Sequence, residues 1–103
     1  MRYDLECRYD TRKSFYGKAI VEENETDVFG EKELDKRLFS YGTIVGRVYQ
    51  LGNKITYYYF GKYSQTTTRH QKEFFKQFGL SDNEIKTFIK SGKAIYCKYC
   101  KEV

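Results

Sequence analysis

The sequence predicts an α+β fold in which an antiparallel sheet of four to five strands is packed by two helices near residues 66–78 and 81–91. Three observations lead there. Up to residue 62 the chain runs in β-branched and aromatic stretches separated by short polar turns, the pattern of hairpins. Beyond residue 66 the apolar positions recur with the period of an amphipathic helix. Glycines and a Ser-x-x-Glu sequence then punctuate two such helices where caps and stops belong.

Residues 2–8 and 13–21 read as strands rich in Tyr, Phe, Val and Ile, with Asp10-Thr11-Arg12 as the turn of an N-terminal hairpin. Residues 22–35 have little periodicity and include Asn24, Asp27 and Gly30, which predicts an acidic loop with one helical turn near Glu33. Residues 38–50 alternate and are β-branched. Leu51-Gly52-Asn53 then turns the chain, and residues 54–62 return through Ile55-Thr56-Tyr57-Tyr58-Tyr59-Phe60 to complete a second hairpin. From residue 67 to 78, Phe74, Phe75 and Phe78 share one helical face with His70 one turn earlier, while Arg69, Lys72 and Lys76 share another. Ser64, Thr66 and Thr67 are the candidate caps, and Gly79 is placed to stop the helix in the left-handed conformation. Ser81 and Glu84 form a capping box for a second helix, with Ile85, Phe88 and Ile89 inside and Lys86, Lys90 and then Lys93 outside; Gly92 ends it. Residues 93–103 alternate Ile95, Cys97 and Tyr99 against Tyr96, Lys98 and Cys100, as a last strand would. A sheet with one wet face accounts for the tyrosines, which pack a ring and keep a hydroxyl in water.

With 103 residues the chain is long enough for one domain, residues 1–103, and too short for two. No apolar run approaches the roughly 18 residues of a bilayer helix, and Met1-Arg2-Tyr3-Asp4-Leu5-Glu6 has no apolar signal core. The expectation is a cytoplasmic protein. Its formal charge of +5 is unevenly divided. Between Glu22 and Asp35 there are seven acids against Lys32 alone, a net of −6, so the rest of the chain is +11. Residues 54–101 carry ten bases against Glu73, Asp82 and Glu84. That basic half is the candidate for meeting polyanions.

Chemistry-bearing motifs are few. Cys97 and Cys100 form a C-x-x-C that Cys7 and His70 would complete as a Cys3His zinc set. A second pair is missing, and in an extended segment the two thiols point to opposite faces, so the expectation is no metal and no cofactor, with small buried or reduced thiols. His70 is the single histidine and no paired carboxylates accompany it, which argues against acid–base catalysis. Ser64, Thr66 and Thr67 at a helix start suit either caps or an anion site. P-loop, dinucleotide, zinc-protease and nucleophile-elbow sequences are absent. Interleaved charge and aromatics favour nucleic-acid binding: of the run Tyr57-Tyr58-Tyr59-Phe60 at least one ring must face away from the core, and Tyr58 is the candidate for stacking on bases. Residues 72–90 have the glycine turn of a helix-turn-helix, but Phe75 stands where a small residue lets such helices close, so an ordinary helical hairpin over the sheet is expected.

The stretches Asp10-Thr11-Arg12-Lys13-Ser14-Phe15-Tyr16-Gly17-Lys18-Ala19, Leu38-Phe39-Ser40-Tyr41-Gly42-Thr43-Ile44-Val45 and Tyr63-Ser64-Gln65-Thr66-Thr67-Thr68-Arg69-His70 resemble small proteins carried by phages and other mobile elements of Gram-positive bacteria. The resemblance covers residues 10–79 and is most specific at Tyr63-Ser64, Thr66-Thr67 and Arg69-His70. It implies a genomic setting and no established activity; small proteins of that setting without catalytic motifs frequently act by binding, in the host cytoplasm. The resulting expectation is a protein that meets nucleic acid or a host nucleoprotein or defence protein through Arg69, His70, Lys72, Lys76, Lys86, Lys90, Lys93 and Tyr58. An inhibitor of a host effector of the anti-CRISPR type is the alternative, and a homodimer built on an exposed strand the third. No membrane is involved in any of these readings.

Overall fold

The computed structural model describes residues 1–10, 15 and 17–98. Its elements are β1 (Arg2–Asp4), β2 (Ala19–Val28), β3 (Glu31–Ser40), β4 (Thr43–Leu51), β5 (Lys54–Tyr59), α1 (Gln65–Gln77), α2 (Asp82–Lys90) and β6 (Ile95–Lys98). The fold is α+β, an open antiparallel sheet with two helices, and the sheet has six strands in the order of the sequence. Four to five strands were expected, and the acidic segment accounts for the difference. Residues 22–35 are not a loop. They form most of β2 and β3, joined at Phe29-Gly30, and opposite charges meet across the ladder: Glu23 stands opposite Lys36, 3.8 Å away, and Glu25 reaches Lys32 diagonally at 2.9 Å. Cross-strand ion pairs thus take the place that apolar alternation holds elsewhere.

The stretch 38–50, expected as one strand, is two. Ser40 ends β3, Tyr41-Gly42 turns the chain, and β4 begins at Thr43. Both turns are two-residue hairpin loops with left-handed residues at both central positions, Phe29 (φ 50°) with Gly30 (φ 83°) and Tyr41 (φ 51°) with Gly42 (φ 83°). A type I′ turn requires this geometry, and an aromatic residue in its first position is strained by roughly 1–2 kcal/mol where Asn or Gly would not be. The expected turn at Gly52-Asn53 stands, with Gly52 at φ 59°.

One face of the sheet carries the helices. Its rows run Tyr3, Val21, Leu38, Gly46, Tyr59 and then Glu23, Lys36, Val48, Tyr57, Tyr96 across successive strands. Phe74 and Phe75 of α1, with Ile85 and Phe88 of α2, close over these rows, and all four are buried. Gly46 lets them approach: a Cβ there would lie 3.5 Å from the Phe74 ring and 3.6 Å from that of Phe75. A bulge between Leu38 and Phe39 of the β3 register displaces β4 at Val45. The Val45 carbonyl is taken up by the buried Gln71 side chain, whose Nε2 donates to Val45 O and to Gly61 O, both at 3.0 Å. The helices form as the sequence predicts. Ser64 caps α1, the reciprocal Ser81–Glu84 box caps α2, and Phe75 and Phe88 meet at 5.6 Å between ring centroids. Phe75 therefore fills the space between the helices and anchors them to the sheet. The last strand ends its described course at Lys98, and the expected continuation through residues 99–103 lies outside the described residues.

Two predictions concern the joints. Gly79 stops α1 at φ 114°, and a Cβ on it would lie 2.9 Å from the Tyr57 hydroxyl, which donates to Phe78 O at 2.7 Å. Gly79→Ala combines a disfavoured backbone angle with a clash against a buried ring, so chemical denaturation should show a loss of about 2–4 kcal/mol. Glu84 joins the α2 cap to β6. The Ser81 backbone N–H, assisted against partial burial by Lys98 and the Tyr96 hydroxyl, holds its carboxyl at about 2. Because the folded value lies below the unfolded one, this stabilisation is present above pH ~4.5 and is lost as pH falls toward about 2. Thermal melts of wild type and Glu84→Gln should therefore differ at neutral pH and converge through that window.

Candidate binding surface

The start of α1 faces inward. Ser64 Oγ accepts the Thr67 N–H at 3.1 Å and Ser64 O accepts the Thr68 hydroxyl at 2.9 Å. Thr67 Oγ1 lies 3.0 Å from Ser40 Oγ, which in turn lies 2.8 Å from His70 Nδ1. Ser40, Thr67 and His70 are all buried, and the Phe15 ring meets the imidazole edge-on at 4.6 Å. Of the expected anion site, Ser64 and Thr67 are engaged in these internal bonds and Thr66 is half-buried beside them. His70 likewise leaves the expected contact surface. It lies one turn before Phe74, on the helix face that packs against the sheet, and is 1% exposed.

The outward face of the same helix is cationic. Arg69 and Lys72 are exposed on α1, Lys86 and Lys90 on α2, and Lys93 just beyond it. None of these five forms a salt bridge among the described residues. Lys76 is different: half-buried, it sits 3.0 Å from the Asp82 carboxylate and 4.7 Å from the Tyr9 ring centre. Two adjoining clefts of about 190 and 210 Å³ connect the set, the first between Tyr9, Arg69, Lys72 and Lys76, the second between Lys72, Asn83 and Lys86. Lys72 and Asp82 are their common wall. Each falls below the roughly 300 Å³ at which small-molecule pockets begin.

Glu73, the one acid of α1, also lines the first cleft, with Asp10 and Asp82. It is 3% exposed and turned under the helix, where Oε1 accepts the N–H groups of Tyr9 (2.8 Å) and Asp10 (3.0 Å) and Oε2 accepts from Gln77. Gln77 also donates to Glu6 O. The carboxylate thereby fastens residues 6–10 along the helix, and Tyr9 of that segment forms the side of the first cleft.

Tyr58 stands elsewhere, on the face of the sheet without helices. There a row crosses all six strands: Arg2, Glu22, Arg37, Arg47, Tyr58, Ile95. The Arg47 guanidinium lies 5.1 Å from the ring centres of both Tyr49 and Tyr58 and donates to Asp35 at 2.8 and 3.1 Å, while Arg37 reaches the same carboxylate at 3.2 Å. Partial burial works to raise the Asp35 carboxyl, yet the hydrogen bonds and charges of Arg47 and Arg37 outweigh it and hold the group below the usual carboxylate range. Sequence reasoning missed Arg37 and Arg47. Their signal is parity with Tyr58 across paired strands, which becomes readable only once the register of β3 and β4 is known. The expected binding set is therefore split between opposite faces.

The Cys3His set does not assemble. Cys7 follows β1 at one edge of the sheet, Cys97 lies on β6 at the other, and His70 is enclosed beneath α1. Cys97 is disulfide-bonded, which corrects the expectation of a reduced thiol there, and Cys100 lies outside the described residues. Among the described residues no group of three or more His, Cys, Asp or Glu side chains is placed to hold a metal ion, and no helix is long and apolar enough to cross a membrane.

No curated protein and no solved structure matches the chain. One family model does, over residues 3–92, a span that begins inside β1, takes in both helices with Arg69, Lys72, Lys86 and Lys90, and leaves out Lys93 and β6. With nearly all of its length so matched, the chain belongs to DUF8033, a family of unknown function.

Proposed function

We propose that the protein is a non-enzymatic binding module whose helical face meets the phosphates of a nucleic acid or of a nucleic-acid-handling complex. The observation that carries this reading is the segregation of charge. Arg69, Lys72, Lys86, Lys90 and Lys93 lie exposed along α1 and α2 without carboxylate partners among the described residues, while the one acid of α1 is turned inward. Unpaired surface cations keep their counterions in the free protein and release them on meeting a polyanion, which is the principal source of such affinity. A role in binding rather than turnover draws support from His70, the single histidine, whose Nδ1 is occupied by Ser40 inside the fold. The resemblance to phage-borne proteins agrees with an accessory or anti-defence setting.

The outer sheet face is the competing surface, since Tyr58, Tyr49 and Arg47 offer rings and a guanidinium to unpaired bases. Its cations are already committed: Arg37 and Arg47 share Asp35, and Arg2 lies 3.8 Å from Glu22. The helical face therefore has the stronger case for phosphate.

Fluorescence anisotropy with labelled duplex DNA, single-stranded DNA and structured RNA, over a series of salt concentrations, tests this directly. Arg69→Ala combined with Lys72→Ala and Lys86→Ala should keep the circular dichroism spectrum and lower affinity by at least tenfold. Loss of three phosphate contacts should also flatten the slope of log affinity against log salt by about 2–3. Unchanged binding by the folded triple variant would sink the proposal, and a loss produced instead by Tyr58→Ala would move the site to the sheet.

A further inference from the structure

Phe29 is the most exposed large apolar residue of the described chain, at 104% of its reference area, and it occupies a left-handed position (φ 50°) at the tip of the β2–β3 hairpin. A turn of this type ordinarily carries Asn, Asp or Gly there. A phenylalanine gains nothing for the fold at that site, because its ring buries no surface and its backbone angle is disfavoured. Acids predominate around it: Asp27 and Glu31 are exposed and form no salt bridge among the described residues, while Glu25, two residues behind Asp27, is paired with Lys32, the residue opposite Asp27. The tip is thus an apolar knob in a negative collar.

A complementary recess lies at the other end of the sheet. The β4–β5 turn sits beside the hairpin, where the Gly52 N–H donates to Lys32 O, and β5 runs from that turn away from the tip. At its far end Tyr59, Phe60, Ile89 and Ala94 line an open, mainly apolar cleft of about 560 Å³, and Lys62 and Lys93 lie at its rim. Both lysines are exposed and without a salt bridge among the described residues.

We infer that the Phe29 tip of one copy docks into the Tyr59–Phe60–Ile89 cleft of a second copy, its acidic collar meeting Lys62 and Lys93. Three features select this occupant: an apolar knob matched to an apolar recess, a negative collar matched to a positive rim, and their positions at opposite ends of the strands. Because the two patches are different surfaces, the contact is head-to-tail and propagates into a ring or a filament, in contrast to a symmetric dimer. An inserted phenylalanine buries about 200 Å², far short of the ~1,200 Å² of a stable complex, so the association is weak, concentration-dependent and weakened by salt. It needs no nucleic acid and is tested without one, although Lys93 belongs to both surfaces.

Sedimentation velocity of the nucleic-acid-free protein from about 10 to 500 µM, at low and at high salt, reads the association directly. At low salt the weight-average mass should rise at least twofold across the series, and the rise should shrink at high salt. Phe29→Asn should remain monomeric with an unchanged or higher melting temperature, and Lys62→Glu should also remain monomeric. Each of these variants keeps the half that the other lacks. An equimolar mixture should therefore form a 1:1 dimer and nothing larger, which a symmetric interface would not do. Wild-type protein that stays monomeric throughout at low salt, or Phe29→Asn that associates as wild type does, overturns the proposal.

Discussion

The helical side of this protein depends on α1 lying directly on the sheet. The ring of Phe74 rests over Gly46, Phe75 reaches across to Phe88, and Gln71 holds the carbonyl of the bulged Val45, so one helix face supplies both the apolar seal and the polar tether. Burying each of the two phenylalanines contributes roughly 2–3 kcal/mol, and a well-formed hydrogen bond about 1 kcal/mol more. The side chain missing at Gly46 gives the helix its close approach, and the irregularity of β4 gives Gln71 its partner. Once α1 is so placed, its period of 3.6 leaves Arg69 and Lys72 no option but to face outward. The cationic surface is in this sense a by-product of the core.

The two faces of the sheet treat charge in different ways, and the difference decides which one is available to a partner. On the outer face Asp35 draws Arg37 and Arg47 together and Arg47 lies between two tyrosine rings, so cations, acid and aromatics satisfy one another. A partner arriving there would first have to displace those contacts. Lys76 apart, the cations of α1 and α2 form no salt bridge among the described residues, and their approach to an anion costs only the counterions and the rotameric freedom of exposed side chains. Glu73 sharpens the contrast. Turned under the helix, it uses its charge on the backbone of Tyr9 and Asp10, converting what reads in sequence as a neutralising acid into a clamp that shapes the cleft.

The helices, their caps and their stops were legible because their determinants are local. Ser64, the Ser81–Glu84 box and Gly79 act within a few residues of the positions they specify. The strands of the acidic region were not, because their charges are matched across strands, as Glu25 with Lys32 and Glu23 with Lys36, and alternate along the sequence neither in polarity nor in bulk. The two turns hid for a related reason. Phe29-Gly30 and Tyr41-Gly42 place an aromatic where a hairpin normally shows Asn or Asp, and only the glycine betrays the left-handed pair. At the candidate site, the helical period correctly identified Arg69, Lys72, Lys86 and Lys90 as outward-facing. The same period puts His70 on the Phe74 face, but that Ser40 on a distant strand would bond both His70 and Thr67 beneath the helix was not readable from it. The Arg37–Arg47–Tyr58 row could not be found without the register.

Charge segregation in the sequence becomes spatial segregation in the fold, and that has a consequence for how the two proposed contacts coexist. The acidic residues are drawn out along β2 and β3 to a tip, while the cations gather over α1, α2 and the end of β5. The longest dimension of the molecule is 39 Å, several times the Debye length of about 8–10 Å at physiological salt, so the poles act as separate surfaces rather than cancelling to their net value of +5. A polyanion on the helical face, as proposed above, would lie away from the acidic tip of the β2–β3 hairpin. Phe29 then stays accessible while the lysines are occupied, and only Lys93, common to the cationic face and to the rim of the apolar cleft, belongs to both contacts. Assembly along a polyanion would accordingly be coupled to binding through that one lysine and through the charge shared around it, and not through any rearrangement of the core.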